Sequence, residues 1–234
     1  TGSFGTLVAL TEVVLKVLPK KKSSNTITIH TEDNKLVNEL FEKISSSSSE
    51  ISGAAYIPDE PDDESYKHNK EMIFKFNDLK FKGSFLALRI EGDKISIDEK
   101  IKVLTKELNF NNLNTSILDV HQSVPFWEKI NNLELFSETK NNLLRAVIPP
   151  SKGNELMQQL GNKYKYYIDW CGSLYWIEVG SKKNMKITEI KKLIKDLGGY
   201  LTIIKKSSEY DYEETIFTID DTRLLISEKI KKSF

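Results

Sequence analysis

The sequence predicts an α+β protein: an antiparallel sheet with helices on one face, in which a βαββαβ unit appears twice. Three observations carry that expectation. Short β-branched or aromatic runs alternate along the chain with apolar residues at helical spacing. Two of the runs are joined by only Cys171-Gly172-Ser173, a hairpin connection that makes neighbouring strands antiparallel. The order strand–helix–strand, strand–helix–strand occurs once in each half of the chain. This pattern is of ferredoxin-like type and allows both halves to share one sheet.

The elements follow in order. Residues 7–18 form a β-branched apolar run between Gly5 and Pro19, which reads as a buried strand with an alternating second half (Val13, Leu15, Val17). Pro19, three lysines and two serines then read as a solvated linker. That linker marks the expected domain boundary, with residues 1–23 on one side and residues 24–234 on the other. Residues 26–31 are a strand. Leu36, Val37, Leu40, Phe41 and Ile44 fall on one helical face, closed by the serine run 45–49. Residues 51–57 are the next strand, and 58–70 an acidic, proline-punctuated loop. Met72, Phe74 and Phe76 alternate as a short edge strand, and 85–91 is another strand. Ser96 and Glu99 have capping-box spacing before the stripe Ile97, Ile101, Leu104 and Leu108. A weaker strand covers 117–120.

The second set begins at 143–148, a strand stopped by Pro149-Pro150. Leu156, Met157 and Leu160 form a short helix with Gly161 as its C′ residue. Residues 166–170 and 174–179 are the hairpin strands. Ile187, Ile190, Leu193, Ile194 and Leu197 make a helix ended by Gly198-Gly199, residues 200–205 close the set, and a lysine-rich helix follows from Thr222.

Composition sets outer bounds on function. The chain has 234 residues, with 34 Lys+Arg against 34 Asp+Glu, a formal net charge of zero. That balance excludes nucleic-acid binding by bulk positive charge. No apolar run reaches the roughly 20 residues that span a bilayer. One cysteine excludes an internal disulfide or multi-cysteine metal site, and three scattered histidines argue against a histidine-built one. The expectation is a soluble protein of a reducing compartment, with no metal. Both ends read as interior to a longer polypeptide: the chain opens inside a glycine-punctuated motif and stops within a helix.

Few residues stand out chemically. Gly2-Ser3-Phe4-Gly5-Thr6 lets backbone amides approach a phosphate, although its spacing is neither a P-loop nor a dinucleotide fingerprint and a tight turn explains it too. Asp169-Trp170-Cys171-Gly172 sets a carboxylate, an indole and a thiol beside a turn; with no histidine nearby the thiol reads as an inert small hydrophobe. Trp170, Tyr175 and Trp176 read most simply as sheet-packing aromatics, with a substrate-shaping role for such a ring as the alternative. His30, His68 and His121 have no partner at dyad or ligand spacing. Arg89 and Arg145 lie on predicted strands, and each suits bidentate pairing with a carboxylate or a cross-strand ion pair. No residue is assigned as catalytic.

Read as one unit, residues 1–19 become specific. Thr1-Gly2-Ser3-Phe4-Gly5-Thr6-Leu7, continuing through Thr11-Glu12 to Leu18-Pro19, resembles the last stretch of the FAD-binding (PCMH-type) domain of vanillyl-alcohol-oxidase-type flavoproteins. Ile51-Ser52-Gly53-Ala54, Phe126-Trp127, the stretch from Ile168-Asp169-Trp170-Cys171-Gly172 to Trp176, and Gly198-Gly199 then occur in the order seen in its glycolate oxidase (glycolate dehydrogenase) GlcE branch. The resemblance implies a C-terminal fragment carrying the ferredoxin-like cap domain of FAD-linked oxidases, with FAD held mainly upstream. It implies Gly2, Ser3, Gly5 and Thr6 as cofactor-binding residues; the candidate substrate-binding residues are Arg89 and Arg145 from their strand positions, Trp170 from its hairpin, and Tyr200, which follows the Gly198-Gly199 pair. It further implies oxidation of glycolate to glyoxylate in a multi-subunit complex with a sister flavin subunit and an iron–sulfur subunit, cytoplasmic or peripheral at the inner membrane. Val8 departs from the glycine usual there, and Tyr200 stands where relatives often carry a histidine. Those departures support two alternatives: a non-catalytic cap that mainly binds sister subunits, or an FAD-linked oxidase of another hydroxy acid.

Overall fold

The computed structural model describes residues 9–17, 19–59, 75–76, 79–80, 83–180, 187–207 and 221–233. Its elements are β1 (Ser23–His30), α1 (Asn34–Ser45), β2 (Gly53–Ile57), β3 (Lys75–Phe76), β4 (Leu79–Lys80), β5 (Phe85–Gly92), α2 (Lys94–Glu107), β6 (Asn114–Leu118), α3 (Val120–Asn131), β7 (Asn142–Val147), α4 (Gly153–Leu160), β8 (Lys165–Asp169), β9 (Leu174–Val179), α5 (Ile187–Asp196), β10 (Tyr200–Lys205) and α6 (Asp221–Ser233). Strands β3 and β4 form a separate two-stranded sheet.

The other eight strands form one antiparallel sheet in the order β10-β7-β9-β8-β2-β5-β1-β6. Leaving β3 and β4 aside, β1-α1-β2-β5-α2-β6 and β7-α4-β8-β9-α5-β10 are the two expected units. Each places its strands in the spatial order fourth, first, third, second, the ferredoxin-like arrangement. The units meet through their second strands: β2 pairs antiparallel with β8, with Tyr56 opposite Ile168. The sheet is thus shared by both halves.

Alternation along the strands sorts side chains onto its two faces. In β5, Leu86, Leu88 and Ile90 join a large core with α1 (Val37, Leu40, Phe41, Ile44), α2 (Ile97, Leu104), α4 (Leu156, Met157, Leu160) and α5 (Ile187, Ile190, Ile194). Phe85 and Ala87 point the other way, into a smaller cluster with Phe126, Trp127 and Ile130 of α3. The expectation of helices on one face is corrected there: α1, α2, α4 and α5 share a face, and α3 covers part of the opposite one. Sequence pattern missed α3 because Pro125 sits inside it. An interior proline costs about 3 kcal/mol. Burial of Phe126, Trp127 and Ile130, about 1.5–3 kcal/mol for each such side chain, outweighs that cost. The capping box Asp119/Gln122 starts the helix as well.

Other boundaries move for local reasons. Asp93, not Ser96, caps α2; its carboxylate accepts from Ser96 N at 2.9 Å, and Glu99 pairs instead with Lys102 at 2.7 Å. Gly161 ends α4 with φ +50°, and Gly198 follows α5 with φ +77°, as their positions predict. The largest correction concerns residues 7–18. Of these, 9–17 carry no strand, and Val14 is 91 % and Val17 80 % exposed, since among the described residues no sheet edge receives them. Residues 60–74, which include His68, Met72 and Phe74, lie outside the described residues.

Close packing at one glycine joins α5 to β7. A Cβ added at Gly199 would lie 2.6 Å from Ile148 Cγ2 and press on the carbonyl oxygen of Val147. Backbone cannot move aside cheaply. Gly199→Ala should lower stability by about 2–4 kcal/mol, read as an earlier urea midpoint with an unchanged slope.

Candidate functional site

The sheet face that bears α3 continues across the second unit, where Thr202, Leu174 and Tyr167 are buried and Arg145, Trp176, Val147 and Tyr200 are half-buried. Two rows of cross-strand neighbours cross the second unit on this face: Thr202–Arg145–Trp176–Tyr167, and Tyr200–Val147–Leu174–Asp169. Arg89 lies on the same face in the first unit, opposite Gly53. All four expected substrate-binding residues therefore belong to one side of one sheet.

The two arginines differ in setting. Strands β9, β8 and β2 separate β7 from β5, so their backbone positions are about four strand spacings apart, roughly 19 Å. Arg89 is also committed locally. Its Nε and Nη2 donate to Ser52 Oγ at 3.1 Å and Ser52 O at 3.0 Å, Glu91 lies 3.7 Å away, and the guanidinium stacks 5.0 Å from the Trp127 ring centroid. Trp127 is held in turn by a buried hydroxyl chain. Its indole N–H donates to Thr26 Oγ1 at 2.9 Å, and Ser123 Oγ lies 2.7 Å from Thr26 Oγ1 and 2.9 Å from Ser24 Oγ. Gly53 leaves room for the indole, which a Cβ would meet at 3.2 Å. Arg89 is a buttress for α3, with the ion-pair role weighed for it as the alternative.

Arg145 is different. It is half-buried, its guanidinium carbon lies 5.0 Å from the Trp170 ring centroid, and it has no carboxylate partner among the described residues. Tyr200 is its diagonal neighbour across the β10–β7 pair, within reach of an aromatic side chain. Trp170 is 56 % exposed rather than packed into the sheet. It opens the 3-10 turn Trp170–Gly172, in which Trp170 and Cys171 both have φ +51° and Gly172 has φ +89°. Two consecutive non-glycine residues in the left-handed region cost on the order of 1–3 kcal/mol each. Asp169 holds the strained turn by accepting from Trp170 N at 2.7 Å, and Ser173 Oγ donates to Trp170 O at 2.7 Å. Gly172 is required there because Phe41 of α1 would meet a Cβ at 3.0 Å. The turn thus spends conformational strain to set an indole against an arginine.

Titration is altered at the same place. Burial raises the Asp169 carboxyl above its ordinary value, offset in part by the Trp170 N–H and the charge of Arg89. Burial likewise raises the Cys171 thiol, which is hydrogen-bonded by Ser45 and further raised by the charge of Asp169. A protonated thiol packed against the main core agrees with its reading as an inert hydrophobe.

The implied cofactor residues Gly2, Ser3, Gly5 and Thr6 lie outside the described residues. At three of the described glycines the space a Cβ would take is filled by the chain itself: Asn38 and Tyr175 at Gly153, Phe41 at Gly172, and Val147 and Ile148 at Gly199. The described residues also contain no group of three His, Cys, Asp or Glu side chains able to hold a metal, and no helix long and apolar enough to cross a membrane.

Fold and site together define an α+β protein of two βαββαβ units in one sheet, with an arginine–indole pair that has no carboxylate partner among the described residues. No family model and no curated protein sequence matches the chain. Arg145, Trp170 and Tyr200 were each nominated by sequence reasoning, but their proximity comes from strand register. The Trp127–Thr26–Ser123 chain was not, because its partners are about a hundred positions apart in sequence.

The raised Asp169 carboxyl has a stability consequence. Its folded pKa lies above its unfolded one, so its contribution to stability is complete below the ordinary carboxylate range and is lost as pH rises through the folded value. Asp169→Asn keeps a carbonyl acceptor for Trp170 N and removes the buried charge. It should be more stable than the parent at pH 7, with the difference vanishing in acid below the carboxylate range, as read from urea midpoints.

Proposed function

We propose that this chain is the cap, or substrate, portion of an FAD-dependent oxidoreductase acting on a 2-hydroxy acid, of the kind formed by the glycolate oxidase flavin subunits. The observation that carries this reading is Arg145: a half-buried guanidinium on the sheet face that bears α3, backed by Trp170 and lacking a carboxylate partner among the described residues. A guanidinium so placed suits a substrate carboxylate, which it takes through two parallel N–H donors. The motif in residues 1–19 supports the flavoprotein assignment, and the tandem ferredoxin-like sheet agrees with a cap domain.

In this reading FAD supplies the hydride-accepting chemistry and is held by Gly2, Ser3, Gly5, Thr6 and polypeptide outside the described residues. The described residues bind and orient the acid. Arg145 fixes its carboxylate, Trp170 and Val147 exclude water on one side, and Tyr200 presents a phenol beside the guanidinium. The resemblance assigns glycolate as the acid, with a sister flavin subunit and an iron–sulfur subunit as partners, in the cytoplasm or peripherally at the inner membrane. A chain with one cysteine is not itself the iron–sulfur component.

A second reading is a cap that mainly binds sister subunits. It is favoured by Tyr200 in place of a histidine base and by the exposed apolar segment around Val13, Val14 and Leu15. Assaying the complete polypeptide with its partners separates the two. In the catalytic reading Arg145→Met raises KM for glycolate on the order of 10- to 100-fold, the equivalent of a charge-assisted pair of about 1.5–3 kcal/mol, while the bound flavin absorbance is retained. Dye reduction that needs the sister subunit and ignores Arg145→Met would establish the scaffold reading instead.

A further inference from the structure

Residues 108–118 carry no charged side chain, in a chain of which 29 % is charged. The run ends in β6, one of the two outer strands of the eight-stranded sheet. An outer strand leaves the N–H and C=O groups of one side without a ladder partner. Folded proteins guard such edges with lysine, proline, a bulge or a covering segment. The other outer strand, β10, is guarded in this way. Its register shifts between Ile203 and Lys205, Lys205 and Lys206 close it, and Leu201, Thr202 and Ile203 are buried. Strand β6 has none of these among the described residues. Its pairing with β1 is regular from Asn114 to Leu118, Asn114 and Ser116 are exposed, and Ile117 is 54 % exposed.

We propose that β6 is the surface through which two copies of this chain associate, its strands pairing antiparallel about a two-fold axis so that one sheet continues into the other. Association there is independent of the carboxylate-binding role of Arg145, which lies on β7 near the opposite edge of the sheet.

A second copy suits this edge in symmetry, in apolar surface and in charge. Two-fold pairing sets a strand against itself, and an uncharged strand brings no like charges face to face. Ile117 stands beside Ile27 on the face of the main core, so a strand added outside β6 covers an isoleucine that otherwise meets water. The flanks are charged with opposite signs. Lys20, Lys21 and Lys22 are exposed just before β1, towards the Leu118 end of β6, where Asp119 is already engaged as the cap of α3. Glu32 and Asp33 are exposed just after β1, towards the Asn114 end. Antiparallel pairing turns the lysine end of each copy towards the acidic end of the other. A parallel neighbour would set lysines beside lysines. Such attraction acts over about 10 Å at 0.1 M salt and weakens as salt is added.

Sedimentation of the full chain over a series of concentrations, with amide exchange of β6, tests the proposal. The chain should pass reversibly from monomer to dimer, and the amides of residues 114–118 should exchange slowly in the dimer and rapidly in the monomer. Ile117→Lys should weaken the dimer at least about fivefold, because it brings a lysine from each copy into the contact. Ile204→Lys, the same change on β10, should leave the dimer as it was. Lys22→Glu should weaken it about two- to fourfold at low salt, and Glu32→Lys added to that variant should restore it. Circular dichroism checks that each variant is folded. A monomer at every concentration, a dimer indifferent to Ile117→Lys, or a Lys22→Glu dimer that Glu32→Lys does not restore would overturn the proposal. So would slow exchange of residues 114–118 in the monomer, the result expected if residues 9–17 of the same chain occupy the edge.

Discussion

The pairing of β2 with β8 is the interaction on which the rest of the molecule depends. Each βαββαβ unit could close as a separate four-stranded sheet, leaving its second strand as an exposed edge. Here the two edges pair with each other, and Tyr56 faces Ile168 across the join. Side chains pack against it on both faces. On the main-core side Tyr56 shares one core with Tyr166 and Tyr175; Tyr166 stacks with Tyr175 at 6.4 Å, the Tyr175 hydroxyl donates to Gly153 O, and Tyr56 donates to Thr31 O. On the other side Tyr167 of the second unit donates to Ile130 O of α3, and Phe136 stacks on its ring at 5.7 Å. Burial holds these phenols well above their usual titration range, so they remain donors.

Because α3 belongs to the first unit, it covers the face there and reaches the second unit at Tyr167, which donates to Ile130 O. Arg89 and Arg145 have the same chemistry in sequence but opposite fates. Arg89 lies under Trp127 and is saturated by Ser52 and Glu91, whereas Arg145 lies beyond the reach of α3 and faces an exposed indole.

Much of this was legible in the sequence, and the failures have physical causes. The double βαββαβ order, the hairpin at Cys171 and the glycine stops at Gly161 and Gly198 could be read because each is local: a period, a turn or a positive φ. Helix α3 was hidden because Pro125 breaks a local rule that only tertiary burial of Phe126 and Trp127 overrides. Residues 9–17 read as a buried strand from composition, yet a strand also needs a neighbour, which no composition supplies. At the site, Arg145, Trp170 and Tyr200 were nominated individually. Their grouping, and the separation of Arg89, follow from register and strand order, neither of which a single sequence states.

The shared sheet is tested most directly by amide hydrogen exchange, resolved by residue, on the intact chain. If β2 and β8 form an internal join, the amides of residues 53–57 and 165–169 exchange as slowly as those of β5 and β9, and all are lost in one cooperative opening. Rapid exchange confined to β2 and β8, with β5 and β9 still protected, would mean that the units are separate sheets and that no common face carries Arg89 and Arg145.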